Sequence, residues 1–90
     1  MLAKDMASYV IAGPAGDEQL AECEYLGRQL DLSSDASVSV VVKHPQEWLG
    51  FLGGVCASFG FKRRFTPLVF TADGALIGGL DEFRTHVCTI

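Results

Sequence analysis

The stretch that decides the fold is TPLVFTADGALIGGLDE, residues 66–82. It contains two short apolar runs, Leu68–Phe70 and Ala75–Ile77, which are separated by a turn that carries Asp73-Gly74. An Asp-Gly pair between two apolar runs is a strong signal for an antiparallel hairpin. Gly78-Gly79 then breaks the second run, and the acidic pair that follows is typical of the start of a helix. The segment therefore predicts two strands and then a last helix, which continues to Ile90.

The preceding half of the chain predicts a strand, a helix and a second strand. Tyr9–Ala12 is a short apolar run, and Val38–Val42 is rich in β-branched residues. Between them, apolar residues recur three and four positions apart from Asp17 to Leu30, which indicates an amphipathic helix with Asp17 as its cap. A turn at Ser33–Asp35 follows this helix. Elements of these lengths form a parallel strand pair with a right-handed crossover.

A second helix is predicted to begin at Pro45 and to end at Gly60. Proline is favoured at the first helical position, and glycine is favoured just after the last turn. The predicted apolar stripe of this helix is Trp48, Leu49, Leu52, Val55, Cys56 and Phe59. Three glycines lie inside the segment, and each lowers helix propensity by about 1 kcal/mol relative to alanine. Two explanations for them stay open: close packing of the helix on the sheet, or a frayed helix.

These elements add up to one α/β domain over residues 1–90, with the order βαβαββα and no linker. Hydrophobic residues make up 49% of the chain, which excludes intrinsic disorder. The net charge of −4 argues against nucleic acid or an anionic membrane as a partner. No uncharged stretch reaches the ~20 apolar residues of a membrane helix, and no basic and then apolar leader is evident. We therefore expect a small soluble, cytoplasmic domain.

The three cysteines are Cys23, Cys56 and Cys88, each more than thirty residues from the next. No pair forms C-x-x-C, and an odd count argues against a disulfide framework. His44 and His86 do not form close ligand pairs with these cysteines of the kind that zinc requires. We therefore expect reduced, partly buried thiols, surface histidines and no metal site. The alternative for Cys88, which lies near a terminus, is a reactive or inter-chain thiol.

The carboxy-terminal half resembles the glutaredoxin branch of the thioredoxin superfamily. The resemblance is carried by the order of elements, by Thr66-Pro67 before the third strand, by the Asp73-Gly74 turn and by the segment 76–82. It covers roughly residues 8–87, and the amino-terminal half matches by pattern only. The resemblance implies a thioredoxin-like fold: a four-stranded mixed sheet of order 2-1-3-4, flanked by three helices, with Pro67 in the cis form.

A narrower resemblance is to the glutaredoxin-like amino-terminal extension of some eukaryotic malate-dehydrogenase-like proteins. It is carried by His44–Leu49, Val55-Cys56, Leu76–Gly79, Glu82-Phe83 and His86. In such proteins the extension precedes a dinucleotide-binding domain. The 90 residues contain no G-x-G-x-x-G motif and therefore no Rossmann unit of their own. The resemblance implies that the partner is a covalently linked downstream domain or, for a free-standing relative, another protein.

The chain departs from the glutaredoxin pattern at the catalytic position. Glutaredoxins place C-x-x-C or C-x-x-S at the start of the first helix, where the helix dipole lowers the pKa of the attacking thiol. The corresponding stretch here is Asp17–Leu20 or, in another alignment, Pro14–Asp17, and neither contains a cysteine. Cys23 lies further along the apolar side of the helix, where burial raises a thiol pKa. We expect no catalytic residue and a redox-inactive binding or assembly module. The alternative is a glutathione-dependent thiol–disulfide oxidoreductase that uses an atypically placed cysteine.

The resemblance also implies where glutathione would lie if the groove persists. Glutaredoxins hold the tripeptide as an extra strand beside the cis proline and bind its γ-glutamyl carboxylate just after Gly-Gly. The positions of this chain that match the groove are Asp17, Arg63, Arg64, Thr66, Pro67, Leu80 and Asp81. Asp17 would stand near the sulfur and repel a thiolate, so we expect no cofactor, with glutathione as the candidate ligand. The alternative is that these residues serve the fold alone, with Asp81 as the cap of the last helix.

Overall fold

The computed structural model describes residues 8–33 and 36–88. Its elements in chain order are β1 (Ser8–Pro14), α1 (Glu18–Ser33), β2 (Ser37–Lys43), α2 (Pro45–Phe59), β3 (Leu68–Thr71), β4 (Leu76–Gly78) and α3 (Leu80–Cys88). The predicted order βαβαββα is confirmed. Helix α1 continues past Leu30, where the sequence predicted its end. The turn predicted at Ser33–Asp35 is wrong at Ser33, which is the last residue of α1. The other two residues of that turn, and Ile90 of the predicted last helix, lie outside the described residues.

The four strands form one mixed sheet with the predicted order β2-β1-β3-β4. Strand β1 pairs in parallel with β2 over seven residue pairs, from Ser8 opposite Ser37 to Pro14 opposite Lys43. On its other side β1 pairs antiparallel with β3. Strands β3 and β4 form the predicted hairpin, whose turn contains Gly74 with a φ of 102°. Strand β1 is therefore hydrogen-bonded on both sides.

The hydrophobic core is divided by the sheet into two clusters. Helices α1 and α3 cover one face, where the cluster includes Ile11, Cys23 and Phe83. Helix α2 covers the other face, where Trp48 and Leu52 are buried. Because successive residues of a strand point to opposite faces, β1 sends Ile11 into one cluster and its neighbour Ala12 into the other. The central strand therefore anchors both layers of helices.

Helix α1 comes closest to the sheet at Gly27. A Cβ atom at this position would lie 2.8 Å from Ile11 Cδ1 and 2.9 Å from Val38 Cγ1. Such distances are shorter than ordinary packing contacts, so a side chain at this position would force Ile11 or Val38 to shift. At its flank α1 is joined to α3 by an ion pair between Glu22 and Arg84, at 2.8 Å. Both side chains are about half exposed, and such pairs stabilise a fold by at most about 1 kcal/mol.

The ends of helix α2 follow the prediction. Pro45 is its first residue, and the side chain of His44 caps it, since His44 Nδ1 accepts a hydrogen bond from the Gln46 N–H at 3.1 Å. Gly60 ends the helix in the left-handed conformation, with a φ of 75°. Its amide donates to the Cys56 carbonyl, which is a common way to satisfy the last turn of a helix.

The predicted apolar stripe of α2 is wrong at Leu49 and at Phe59, whose side chains are 74% and 41% exposed. Both explanations for the glycines also fail, because α2 is continuous and Gly50 and Gly54 have no atom within 4 Å of an added Cβ. A single helix on this side of the sheet buries only a narrow line of residues, including Trp48 and Leu52. The outer side of α2 therefore faces solvent in the described chain.

His86 also differs from the prediction of a surface histidine. It is half-buried on α3, where its Nε2 lies 2.8 Å from the hydroxyl oxygen of Tyr9. Tyr9 is on β1, so this hydrogen bond joins the first described strand to the last helix. None of the helices described between residues 8 and 88 is long and apolar enough to cross a membrane.

Two glycine-to-alanine substitutions test this packing, with opposite expected signs. Gly27→Ala should destabilise the domain by about 1–2 kcal/mol, because overpacking outweighs the gain in helix propensity. Gly54→Ala should stabilise it by about 0.5–1 kcal/mol, because the new methyl group meets nothing and the helix gains propensity. Urea unfolding of the three proteins measures both effects. A stabilising Gly27→Ala would contradict the close approach of α1 to the sheet.

Candidate functional site

Three segments of the chain meet at one end of the strands because of the strand register. Ala12, near the end of β1, lies opposite Leu68, the first residue of β3. Val69 in turn lies opposite Gly78, the last residue of β4. The first turn of α1, the loop before β3 and the first turn of α3 therefore start from the same side of the molecule.

These segments enclose a pocket of about 260 Å³, lined by Gln19, Phe65, Thr66, Gly79, Leu80, Asp81 and Glu82. Three of the residues that match the glutathione groove, Thr66, Leu80 and Asp81, thus line one cavity. Pro67 follows in the chain and is fully buried, and the Thr66–Pro67 peptide bond is cis, as the resemblance implied. Gln19, Phe65 and Glu82 were missed by the sequence analysis.

The α1 wall of the pocket is set by an N-cap. Asp17 Oδ1 accepts a hydrogen bond from the Gln19 N–H at 2.8 Å, which confirms Asp17 as the cap of this helix. The negative charge of Asp17 also complements the positive end of the helix dipole. The cap orients the first turn and so places Gln19 at the pocket, while Asp17 itself is not among the lining residues.

The α3 wall is set by the carboxylate of Glu82 and not by that of Asp81, the cap that the alternative named. Glu82 Oε1 accepts a hydrogen bond from the Gly79 N–H at 3.0 Å, in the manner of a capping box. Asp81 instead pairs with Arg84 at 3.5 Å and is 89% exposed. A Cβ at Gly78, where φ is 135°, would lie 2.6 Å from the Glu82 side chain. The alternative in which Asp81 caps this helix is therefore wrong, and Glu82, three residues after Gly79, was the available signal.

The loop before β3 is held against α2 by a hydrogen bond. The indole N–H of Trp48, which is buried, donates to the Thr66 hydroxyl oxygen at 2.9 Å. The guanidinium of Arg63 lies 4.8 Å from the centre of the Phe65 ring. Arg64 Nη1 lies nearer to α2, at 3.9 Å from the position of an added Cβ on Gly53. Neither arginine is among the residues that line the pocket.

The pocket therefore carries charge of one sign on its walls. Asp81 and Glu82 are the ionisable side chains among its lining residues, and both are acidic. The positive groups next to this lining are Arg84, which pairs with Asp81 at 3.5 Å, and Arg63, which lies over the ring of Phe65. Among the residues that the structure describes, no three His, Cys, Asp or Glu side chains form a metal-binding cluster. The cavity suits a polar ligand held by backbone amides and carboxylates.

The cysteines lie away from the pocket. Cys23 is fully buried, and burial, together with the nearby charges of Asp17 and Glu22, raises the pKa of its thiol from 9.0 to about 11, against the opposing charge of Arg84. The prediction of a raised pKa for Cys23 is confirmed. Cys56 is also buried. Cys88 is exposed, but it ends α3, about 12 Å along the helix from the first turn at the pocket.

Comparison with known proteins gives one informative similarity. The chain is 34% identical over 88 residues to "Putative malate dehydrogenase 1B" of the lancelet Branchiostoma floridae. The match covers 90% of this chain and 17% of that protein, so the chain spans about a sixth of its curated relative. No family model matches the chain, and no solved structure gives a significant match. The chain is therefore similar to a small part of a larger malate-dehydrogenase-like protein, and its sheet order is compatible with a thioredoxin-like fold.

The raised pKa of Cys23 predicts a loss of stability at high pH. The folded protein holds the thiol proton more tightly than the unfolded chain does, because the pKa is about 11 in the fold and 9.0 ordinarily. This contribution is fully present below pH 9 and is lost as the pH rises towards 11, which amounts to about 2–3 kcal/mol. Urea unfolding at several pH values between 9 and 11 should show that the free energy of unfolding falls with rising pH. In Cys23→Ala the free energy of unfolding should fall less steeply with pH, because the titrating thiol is gone. The same dependence on pH in both proteins would contradict the prediction.

Proposed function

We propose that this chain is a redox-inactive, glutaredoxin-like module of a malate-dehydrogenase-like protein, and that it serves binding or assembly. The observation that carries the proposal is the first turn of α1. At this position Asp17 caps the helix, and residues 14–20 contain no cysteine. A fold that keeps the pocket and lacks the attacking group is suited to holding a ligand and not to exchanging disulfides.

Thiol–disulfide exchange needs a thiolate that can reach the bound disulfide in line. Cys23 lies close in sequence, but it is fully buried and its raised pKa keeps it protonated at neutral pH. Cys56 is buried in the cluster under α2. Cys88 is accessible, but it lies at the far end of α3 from the pocket. These placements weigh against the alternative of an oxidoreductase with an atypically placed cysteine.

The pocket offers groups that suit an extended polypeptide. The first amides of α3, including those of Leu80 and Asp81, have no carbonyl partner within the helix, as at every helix start. They can donate to a carboxylate or to peptide carbonyls, while Asp81 can accept from an amine or an amide. Thr66 is held in place by Trp48 and presents a fixed edge of the loop beside these groups. We therefore assign the binding role to this cavity.

The size of the curated relative supports a role inside a larger protein. The matched region is 17% of "Putative malate dehydrogenase 1B". This chain has no G-x-G-x-x-G motif, so dinucleotide chemistry in such a protein would belong to the remainder of it. The proposed partner of the module is a covalently linked downstream domain or a separate protein that takes its place.

Converting Asp17 to cysteine tests whether only the nucleophile is missing. The unmodified protein should show no glutathione–disulfide exchange in a hydroxyethyl-disulfide assay. Asp17→Cys should give weak but measurable activity, because a thiol at a helix N-terminus has a lowered pKa. Leu32→Cys is the matched control, since it adds a 79% exposed thiol near the other end of the same helix and should stay inactive. Asp17→Ser keeps a capping hydroxyl without a thiol and should also stay inactive.

Robust activity in the unmodified protein that disappears in Cys23→Ser would overturn the redox-inactive assignment. Equal activity in Asp17→Cys and Leu32→Cys would show that the pocket does not direct the exchange.

A second candidate, glutathione binding without exchange, is favoured by the presence of Thr66, Leu80 and Asp81 in one cavity. S-methylglutathione carries the tripeptide without a reactive thiol and is the appropriate probe. Under this candidate it shifts the amide NMR signals of these three residues, and Asp81→Ala weakens the effect at least about tenfold, as expected for loss of a charge-assisted contact. Asp31→Ala, at an exposed site elsewhere on α1, is the control. An unchanged spectrum rejects glutathione and leaves the binding or assembly role standing.

A further inference from the structure

The two edges of the sheet differ in how open they are to further pairing. Strand β4 forms one edge, is three residues long and pairs irregularly with β3. Strand β2 forms the other edge, is seven residues long and runs without a bulge along β1. No strand within residues 8–33 and 36–88 pairs with the outer side of β2. A long, regular and open edge is a template for another strand.

The sequence of β2, SVSVVVK, lacks the devices that usually protect an edge. It contains no proline, and its one charged residue is Lys43 at the very end. The Lys43 ammonium lies 4.9 Å from the centre of the Phe51 ring of α2, so it is folded against its own domain. Val40 and Val42 are 41% and 51% exposed, although they are branched apolar side chains in a regular strand.

We propose that β2 is a self-association surface, which pairs antiparallel with β2 of a second copy about a two-fold axis through Val40. This is the one antiparallel register that pairs all seven residues, because Val40 is the central residue of Ser37–Lys43. It places Val40 opposite Val40 and Val38 opposite Val42. Since alternate residues share a face, Val38, Val40 and Val42 of both strands then form one continuous stripe. The result is an eight-stranded sheet built from two copies.

The charges of this arrangement are compatible with a second copy as the occupant. The chain carries a net charge of −4, but β2 contributes no acidic residue, so the shared edge brings no carboxylates together. In the proposed register Lys43 faces the hydroxyl of Ser37. The two lysines are about 20 Å apart along the strands, well beyond the screening length of about 8 Å at physiological salt. A closed two-fold interface needs no segment from outside the chain.

Pairing at this edge does not rest on the proposed function. The edge would pair whether or not the pocket binds a ligand, and whether or not the protein exchanges disulfides. Loss of the dimer would leave the disulfide-exchange result unchanged, and the reverse also holds.

Sedimentation velocity from micromolar to millimolar concentration measures the association. The unmodified protein should show a dimer fraction that rises with concentration. Val40→Lys should raise the dimer dissociation constant at least about tenfold, because it sets two like charges opposite each other at the axis. Leu49→Lys removes a more exposed apolar side chain on α2 and should leave the constant unchanged. A monomer over the whole range, or an equal loss in Leu49→Lys, would overturn the proposal.

Disulfide trapping tests the register and does not depend on tolerance of lysine in β2. Both variants carry Cys88→Ser, which removes the exposed thiol. Val40→Cys places two cysteines directly opposite, with Cα atoms about 4.5–5.5 Å apart, within the range that a disulfide spans. Val42→Cys starts from a more exposed residue, but its two copies would lie more than about 13 Å apart. Mild oxidation should give a covalent dimer for Val40→Cys and a monomer for Val42→Cys. Equal trapping, or trapping of Val42→Cys alone, would overturn the register.

Discussion

Every part of the candidate site depends on the pairing of β1 with a strand on each side. The parallel pair with β2 requires a crossover helix, and that helix must begin where β1 ends. The antiparallel pair with β3 places Leu68 beside Ala12, so the loop before β3 lies at the same end of the strands as the end of β1. The β3–β4 hairpin then brings the start of α3 there as well. Backbone hydrogen bonding in the sheet therefore determines which three segments form the pocket.

The N-terminus of α1 is capped by a carboxylate. A helix N-terminus stabilises a thiolate, and it equally stabilises a capping carboxylate. In this chain Asp17 takes the cap, and its charge contributes to the raised pKa of Cys23. Burial and the charge of the capping Asp17 thus both favour the protonated thiol of Cys23. The start of α3 has its own cap, since Glu82 accepts the hydrogen bond of the Gly79 amide.

Surface features that the fold itself does not use lie outside this pocket. The outer side of α2 carries glycines that cost helix propensity and meet no neighbour. The edge of β2 carries valines that a solvent-facing strand does not need. Both features differ from the core, where Gly27 has a clear steric reason to be glycine. A module that works within a larger assembly would expose such surfaces, since their partners lie outside the domain.

The sequence by itself determined the features that depend on neighbouring residues in the chain. The Asp73-Gly74 turn, the Pro45 start and Gly60 end of α2, and the cap at Asp17 follow from local backbone and capping preferences. The alternation of apolar runs with a helical segment was sufficient for the parallel strand pair and, with the family resemblance, for the sheet order.

Only the tertiary structure decided which side chains are buried and which meet across the fold. Leu49 fits a helical stripe but is exposed, because the sheet covers only part of the α2 surface. Tyr9 and His86 are hydrogen-bonded although they are 77 positions apart in the chain. Gln19, Phe65 and Glu82 join the pocket for the same reason, since they come from three separate segments. Periodicity reports which side of an element is apolar, whereas burial depends on the position and extent of the element packed against it.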